Sequence, residues 1–265
     1  MSRLEITDLT VRFGQKTVVD GVSFALEQDE RLGMIGESGS GKSLTALAAI
    51  GLLPDEANVT GSVKLDGREL LGESDRALAK IRGERIAMVF QEPLTALNPL
   101  MRIGKQLAEP LRLHRGLSAA VARTRAIELA ERVGLPDPDR IVRAFPHQLS
   151  GGQRQRVGIA IALACEPSVL IADEPTTALD VTVQAEILAL LGDLVDEQGA
   201  SLLFITHDLA VLASVVSRLV VLADGKLVEQ TEIAGLGHGQ HDPHTSALVR
   251  AARASAFPTS GGPDA

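Results

Sequence analysis

The sequence predicts an α/β fold, and three observations carry that expectation. First, the apolar run Arg31-Leu32-Gly33-Met34-Ile35 leads into a glycine-rich turn at 36–43, and a helical pattern over 44–53 follows. Second, two more short apolar runs, Val169-Leu170-Ile171-Ala172 and Leu202-Leu203-Phe204-Ile205, are each bounded by polar residues. Strands that are apolar on both faces read as the buried strands of a parallel sheet. Third, strand patterning vanishes over about 92–160, where helical periodicity takes over.

Taken in order, residues 1 to about 30 are expected to form a β-hairpin. Leu4, Ile6, Leu9-Val11-Phe13, Val18-Val19 and Val22-Phe24-Leu26 alternate, with Gly14 and Asp20-Gly21 as turns. A second hairpin is expected over 59–71 around Asp66-Gly67, then a short helix over 75–82. The run 86–90 reads as a strand ending at Gln91. The helical stretch contains one segment through Ile103, Leu107 and Leu111, and another through Val121, Ile127 and Val133 that Gly134 stops. It reads as an inserted lobe. Further helices are expected over 154–164, over 181–198 with Asp180 as cap, and over 245–253. Asp224-Gly225 marks a type I′ hairpin. Residues 235–241 read as loop and 254–265 as a flexible tail.

The turn Gly36-Glu37-Ser38-Gly39-Ser40-Gly41-Lys42-Ser43 fits the phosphate-binding pattern G-x-x-x-x-G-K-[ST]. Its glycines let backbone N–H groups curl around phosphate oxygens, and the helix start adds its positive end. In this pattern Lys42 can reach the β- and γ-phosphates of a nucleotide, and Ser43 can ligate Mg²⁺. Asp173 and Glu174 end a buried strand. The first suits Mg²⁺ beside a phosphate loop, and the second, pointing elsewhere, suits polarisation of water. Gln91 and His207 also leave strands at the edge where α/β sheets hold ligands. The amide can meet a metal-bound water, and the imidazole a γ-phosphate or attacking water. Ser150-Gly151-Gly152-Gln153 is a second anion-type helix start, or a plain helix cap. Phe13 either stacks on a base or packs in the strand core, and the residues alone leave both open.

Composition limits the alternatives. Hydrophobic residues make up 45% and charged residues 23%, which suits a globular chain. The net charge of −8 does not suit a general nucleic-acid surface. The one cysteine, Cys165, leaves no intrachain disulfide and no cysteine cluster for iron–sulfur or zinc, and is expected buried. His238, His241 and His244 are read as loop residues before a metal site. No apolar run reaches the ~18 residues of a membrane span, and the N-terminus enters strand pattern directly, so a soluble, intracellular chain is expected.

Together these motifs resemble the ATPase subunit of an ABC transporter, over about residues 3–234. The resemblance implies a P-loop NTPase (RecA-like) core sheet with an N-terminal antiparallel β subdomain and an inserted helical subdomain. It implies one ATPase domain over 1–253: 1–91 and 161–234 as the catalytic core, 92–160 as the helical subdomain, and 235–253 as a short C-terminal extension. In its terms residues 36–43, with Leu44 after them, are the Walker A loop. Gln91 is the Q-loop glutamine and residues 149–153 are the signature. Val169–Asp173 is the Walker B strand, Glu174 the catalytic carboxylate, Ala178-Leu179-Asp180 the D-loop and His207 the switch histidine. Phe13 becomes the adenine-stacking aromatic. ATP and Mg²⁺ are the implied cofactors, with Ser43, Gln91 and Asp173 at the metal.

Finer strings resemble the dipeptide/oligopeptide/nickel importer branch: Phe90-Gln91-Glu92-Pro93-Leu94-Thr95-Ala96-Leu97-Asn98-Pro99, Phe145-Pro146-His147-Gln148-Leu149 and Glu174-Pro175-Thr176-Thr177. Asp242-Pro243-His244-Thr245 resembles a shortened remnant of that branch's C-terminal segment. The implied partners are a second ATPase subunit, identical or homologous, paired head to tail, two transmembrane permeases and an extracytoplasmic solute-binding protein, with no nucleic acid. The implied place is peripheral, on the cytoplasmic face of the cell membrane. An exporter ATPase and a soluble ABC ATPase acting on nucleic acid or ribosomes are the alternatives. The stretch between Gln91 and Ser150 holds a small lobe but no coiled coil, which disfavours the second. The solute, peptide or nickel, is not written in this subunit.

Overall fold

The computed structural model describes residues 2–91, 96–177, 179–237 and 240–256. Among them the strands form two sheets. The first is antiparallel and comprises β1 (Ser2–Phe13), β2 (Lys16–Glu27), β4 (Ala57–Leu65) and β5 (Arg68–Glu69), in the order β2-β1-β4-β5. The second comprises β3 (Arg31–Ile35), β6 (Ile86–Val89), β7 (Val169–Asp173), β8 (Ser201–Thr206), β9 (Arg218–Ala223) and β10 (Lys226–Glu232). Its order is β10-β9-β3-β8-β7-β6, parallel except for the β9–β10 hairpin.

The alternation of side chains along the second sheet divides the core in two. Leu170, Ala172, Leu202 and Phe204 face one cluster, while Val169, Ile171, Leu203 and Ile205 face the other. The second cluster is closed by the antiparallel sheet and by α1 (Lys42–Ala49). The first is closed by α3 (Ile103–His114), α4 (Ala119–Arg132), α6 (Gly151–Leu163), α7 (Val181–Gln198) and α8 (Leu209–Val215). Two short helices complete the frame before and within this region, α2 (Asp75–Leu78) and α5 (Pro138–Ile141). The chain ends in α9 (Pro243–Ala256). Burial of both faces explains why 169–172 in β7 and 202–205 in β8 are apolar without interruption.

Five expectations need correction, one of them the loop expected over 235–241, which opens inside a 3-10 helix, Ile233–Gly237. Asp20-Gly21 is not a turn, because both residues lie inside β2. The buried residues step by three there, Val19 to Val22, as they do from Ile6 to Leu9 in β1. Asp8 (φ 49°), Gly21 (φ 64°) and Gly61 (φ 110°) lie where the ladders slip register, so neighbouring strands bulge side by side. At Gly61 a Cβ would sit 2.6 Å from the Asp8 carbonyl oxygen, which excludes any side chain. The helix expected over 44–53 stops at Ala49, and the one expected over 75–82 stops at Leu78. The last helix runs beyond Arg253 to Ala256, into the expected tail. Residues 257–265 of that tail, with Glu92, Pro93, Leu94, Thr95, Ala178 and His238, lie outside the described residues. Cys165 is buried as expected, and burial pushes its thiol pKa up.

Candidate functional site

The strand–loop–helix unit places the phosphate loop between two neighbours. A Cβ on Gly36 would lie 2.1 Å from the Leu222 carbonyl oxygen, and one on Gly41 would lie 3.0 Å from that of Val18. Gly39 (φ 83°) and Gly41 (φ 99°) take the left-handed conformation that turns the loop into α1. Gly41 caps α1 without a side-chain bond. The amides of Lys42, Ser43 and Leu44 therefore lie in a first turn that has no internal acceptors for them. Leu44 packs its side chain against the apolar cluster. Glu37, Ser38 and Gly39 are exposed, whereas Ser40 is buried.

Lys42 is buried, and its Nζ donates to the carbonyls of Gly36 (2.8 Å) and Glu37 (2.9 Å). Burial lowers its pKa, against the raising pull of Glu174 and Asp173. Asp173 ends β7 and is 5% exposed. Burial raises its carboxyl pKa, and Glu174 adds to this, while a bond from Ser43 and the Lys42 charge oppose. Its Oδ1 is buried with no hydrogen-bond partner among the described residues. A carboxylate with one orphaned oxygen beside a serine hydroxyl is an oxygen donor pair that fits a hard divalent cation.

Glu174 follows with φ 45°, so its side chain leaves the strand's alternation. Its Oε2 accepts from Gln91 Nε2 (3.2 Å) and Thr177 Oγ1 (2.9 Å), and its Oε1 lies 3.1 Å from His207 Nδ1. Gln91, Glu174 and His207 each stand just past the C-terminal end of a strand, and those strands are neighbours in the order β8-β7-β6. Thr177 is a member of this cluster that the sequence reading left without a role. Its signal was its place three residues after Glu174 in the same turn.

Ser150 is the N-cap of α6, in a reciprocal box with Gln153. Gln153 N donates to Ser150 Oγ (3.2 Å), and Ser150 N donates to Gln153 Oε1 (3.0 Å). Both readings of this segment therefore meet in one structure, a cap that also presents a helix start. Arg154, also missed, steadies the approach by donating to the Leu149 carbonyl (2.6 Å). Gly152 lets α6 pack on Val183 at the start of α7, since a Cβ there would lie 2.8 Å from the Val183 side chain, and α7 is capped by Asp180. Gly41 and Ser150 are the N-caps of two different helices, α1 and α6. Phe13 ends β1, half-buried against the second cluster. His241 bonds Glu229 and the Gly235 carbonyl, and no described group of histidines, cysteines and acids forms a metal cluster.

The family model described as ABC transporter matches residues 19–177. The oligopeptide transport ATP-binding protein OppD of Mycobacterium tuberculosis is 49% identical over 251 residues, covering 93% of this chain. The chain spans only 41% of that relative's length. A probable peptide ABC transporter ATP-binding protein of Sinorhizobium fredii is 46% identical over 93% of this chain and 75% of its own. Among solved structures, the dimeric ATP-binding cassette MJ0796 in a post-hydrolysis state, bound to ADP and Pi, superposes with a TM-score of 0.76. It is 31% identical, over 89% of this chain and 100% of its own.

Proposed function

Because this chain belongs to the ABC transporter family, we propose that it is the ATP-hydrolysing subunit of a peptide importer. The observation that carries the reading is the meeting of Gln91, Glu174 and His207 beside Asp173, Ser43 and Lys42. Lys42 and the amides of the loop and first helical turn bind the phosphates, and Phe13 supplies a surface for the base. Ser43 and Asp173 would hold Mg²⁺, with Gln91 as the third residue assigned to the ion. The ion would supply charge neutralisation on the phosphates. Glu174 accepts a proton from the attacking water, and His207 with Gln91 and Thr177 holds the carboxylate in place. General-base help of this kind is typically worth ~10²–10⁴-fold.

One chain carries two anion-type helix starts but one lysine-bearing loop, and the similar cassette MJ0796 is dimeric; both support pairing of two such chains, with Ser150, Gly151, Gly152 and Gln153 of one closing on the nucleotide of the other. The whole of 1–253 then acts as one ATPase domain with 92–160 as its lever. Beyond Gln91, Leu52, Phe90, Met101 and Leu113 line a groove of about 410 Å³. The neighbouring cavity of about 640 Å³ is ringed by Arg102, Lys105, Arg112, Arg123 and Arg143. These surfaces suit the permease partners. No described helix is long and apolar enough to cross a membrane. The peripheral place on the cytoplasmic face follows from the proposed role beside permeases. The names of the relatives favour peptide over nickel as the imported solute.

The test is ATP hydrolysis by the complex assembled with its permeases and binding protein. Peptide-stimulated phosphate release is expected. Stimulation by Ni²⁺ and not by peptide would move the solute. Stimulation by DNA or ribosomes alone would overturn the transport reading.

A further inference from the structure

Behind the phosphate loop lies a part of the chain that the nucleotide reading does not use. Glu229 on β10 pins the C-terminal segment. Its Oε1 is 2.6 Å from His241 Nδ1, and its Oε2 accepts from Asp242 N (2.9 Å). Asp242 in turn caps α9, accepting from His244 N (2.8 Å), and Thr245 is buried beneath. So anchored, α9 carries His244 and Leu248 to the wall of a small cavity of about 80 Å³. The facing wall is the phosphate loop itself, with Gly36, Ser38 and Ser40, and Asp224 of the β9–β10 turn completes it. Ser40 is 4% exposed, and its Oγ has no hydrogen-bond partner among the described residues. A buried hydroxyl rarely stays unbonded. A polar cavity of this size has room for bridging water.

We propose that His244 is a positioning residue for the phosphate loop: through water held in this cavity its imidazole satisfies Ser40 Oγ and fixes the back of the loop. The C-terminal segment anchored at Glu229 thereby sets how well the loop is organised for phosphates. The first consequence, loop rigidity, is independent of any ligand. The second, nucleotide affinity, rests on the ATPase reading above.

The experiment compares the parent chain with His244→Ala, His244→Gln, Ser40→Ala and the His244→Ala/Ser40→Ala double variant. Amide hydrogen exchange at 36–41 is measured without nucleotide, and ATP binding by titration. His244→Ala should speed exchange in the loop about 5-fold or more, since local opening reads out directly in protection. It should weaken ATP binding about 3- to 10-fold, raising KM while kcat stays within about 2-fold. His244→Gln, which keeps a polar group, should lie near the parent. The double variant should be no worse than the larger single, because both changes break one network. Unchanged loop exchange in His244→Ala, or strict additivity in the double variant, would overturn the proposal. If the exchange effects appear while the parent chain fails to bind ATP, the brace stands and the nucleotide reading falls.

Discussion

Replacing Glu174 by Gln removes one negative charge from the centre of the candidate site and leaves its shape. The carboxylate accepts from Gln91 and Thr177 on one oxygen and meets His207 on the other. Glutamine keeps one accepting oxygen and turns the other position into a donor, so one of these contacts is lost or reversed. A lost hydrogen bond of this kind costs about 1 kcal/mol, too little to unfold the domain. The kinetic cost is larger. Loss of a general base worth ~10²–10⁴-fold corresponds to about 3–5 kcal/mol in the barrier. Phosphate release at saturating ATP and Mg²⁺ should therefore fall at least ~100-fold. Nucleotide affinity should stay within about 3-fold, because Lys42 and the loop amides are untouched. A variant that hydrolyses ATP within about 3-fold of the parent would refute the role given to Glu174.

Phe13→Ala should weaken nucleotide binding by about 1 kcal/mol through lost stacking, and Phe13→Tyr should restore it. Equal affinity for Ala and Phe would leave Phe13 as a residue of the strand core. Arg218 clamps Glu30 with two bonds (2.7 and 3.0 Å) and also donates to the Ala25 carbonyl (2.6 Å), tying the second sheet to the first. Arg218→Ala should cost about 2 kcal/mol in urea unfolding, and a loss below ~0.5 kcal/mol would contradict the clamp. Burial pushes the Glu30 carboxyl pKa up, but the bond and charge of Arg218 and the Glu27 backbone bond outweigh it, and the net shift is downward. A carboxyl lowered in the folded state stabilises above its unfolded pKa, and that contribution fades as pH falls through the folded value. The stability gap between the parent and Glu30→Gln should therefore shrink on acidification below the ordinary glutamate range. A gap that widened would reverse the sign of the argument.

The parts of the fold legible in the sequence are those where burial leaves little choice. β3, β7 and β8 are apolar on both faces, so their runs stand out and their ends mark the ligand edge. Asp20-Gly21 misled because a bulge and a turn both call for a left-handed backbone, and only pairing with β1 and the slip beside β4 tells them apart. Helix α1 ended early although Leu52 and Leu53 extend its apolar pattern, because Gly51 at φ 63° turns the chain. At the site, Gln91, Asp173, Glu174 and His207 were each readable as strand-end polar residues. Their convergence was not, since it depends on β6, β7 and β8 being neighbours, an order no local pattern carries. His244 shows the same limit. Its residue type is ordinary, and its place against the phosphate loop comes from the anchor at Glu229 on a different strand.

On the proposed function, ATP joins two chains, the loop of one facing the signature of the other. Light scattering of the Glu174→Gln variant, alone or with a related ATPase subunit, tests it most directly. ATP should shift this variant from monomer to dimer. Adding Ser150→Arg, which places bulk and charge at the start of α6, should abolish the shift while nucleotide titration still shows binding to the single chain. If the folded Ser150→Arg chain lost ATP binding as a monomer, the signature would belong to the same chain's site and the two-chain account would be wrong.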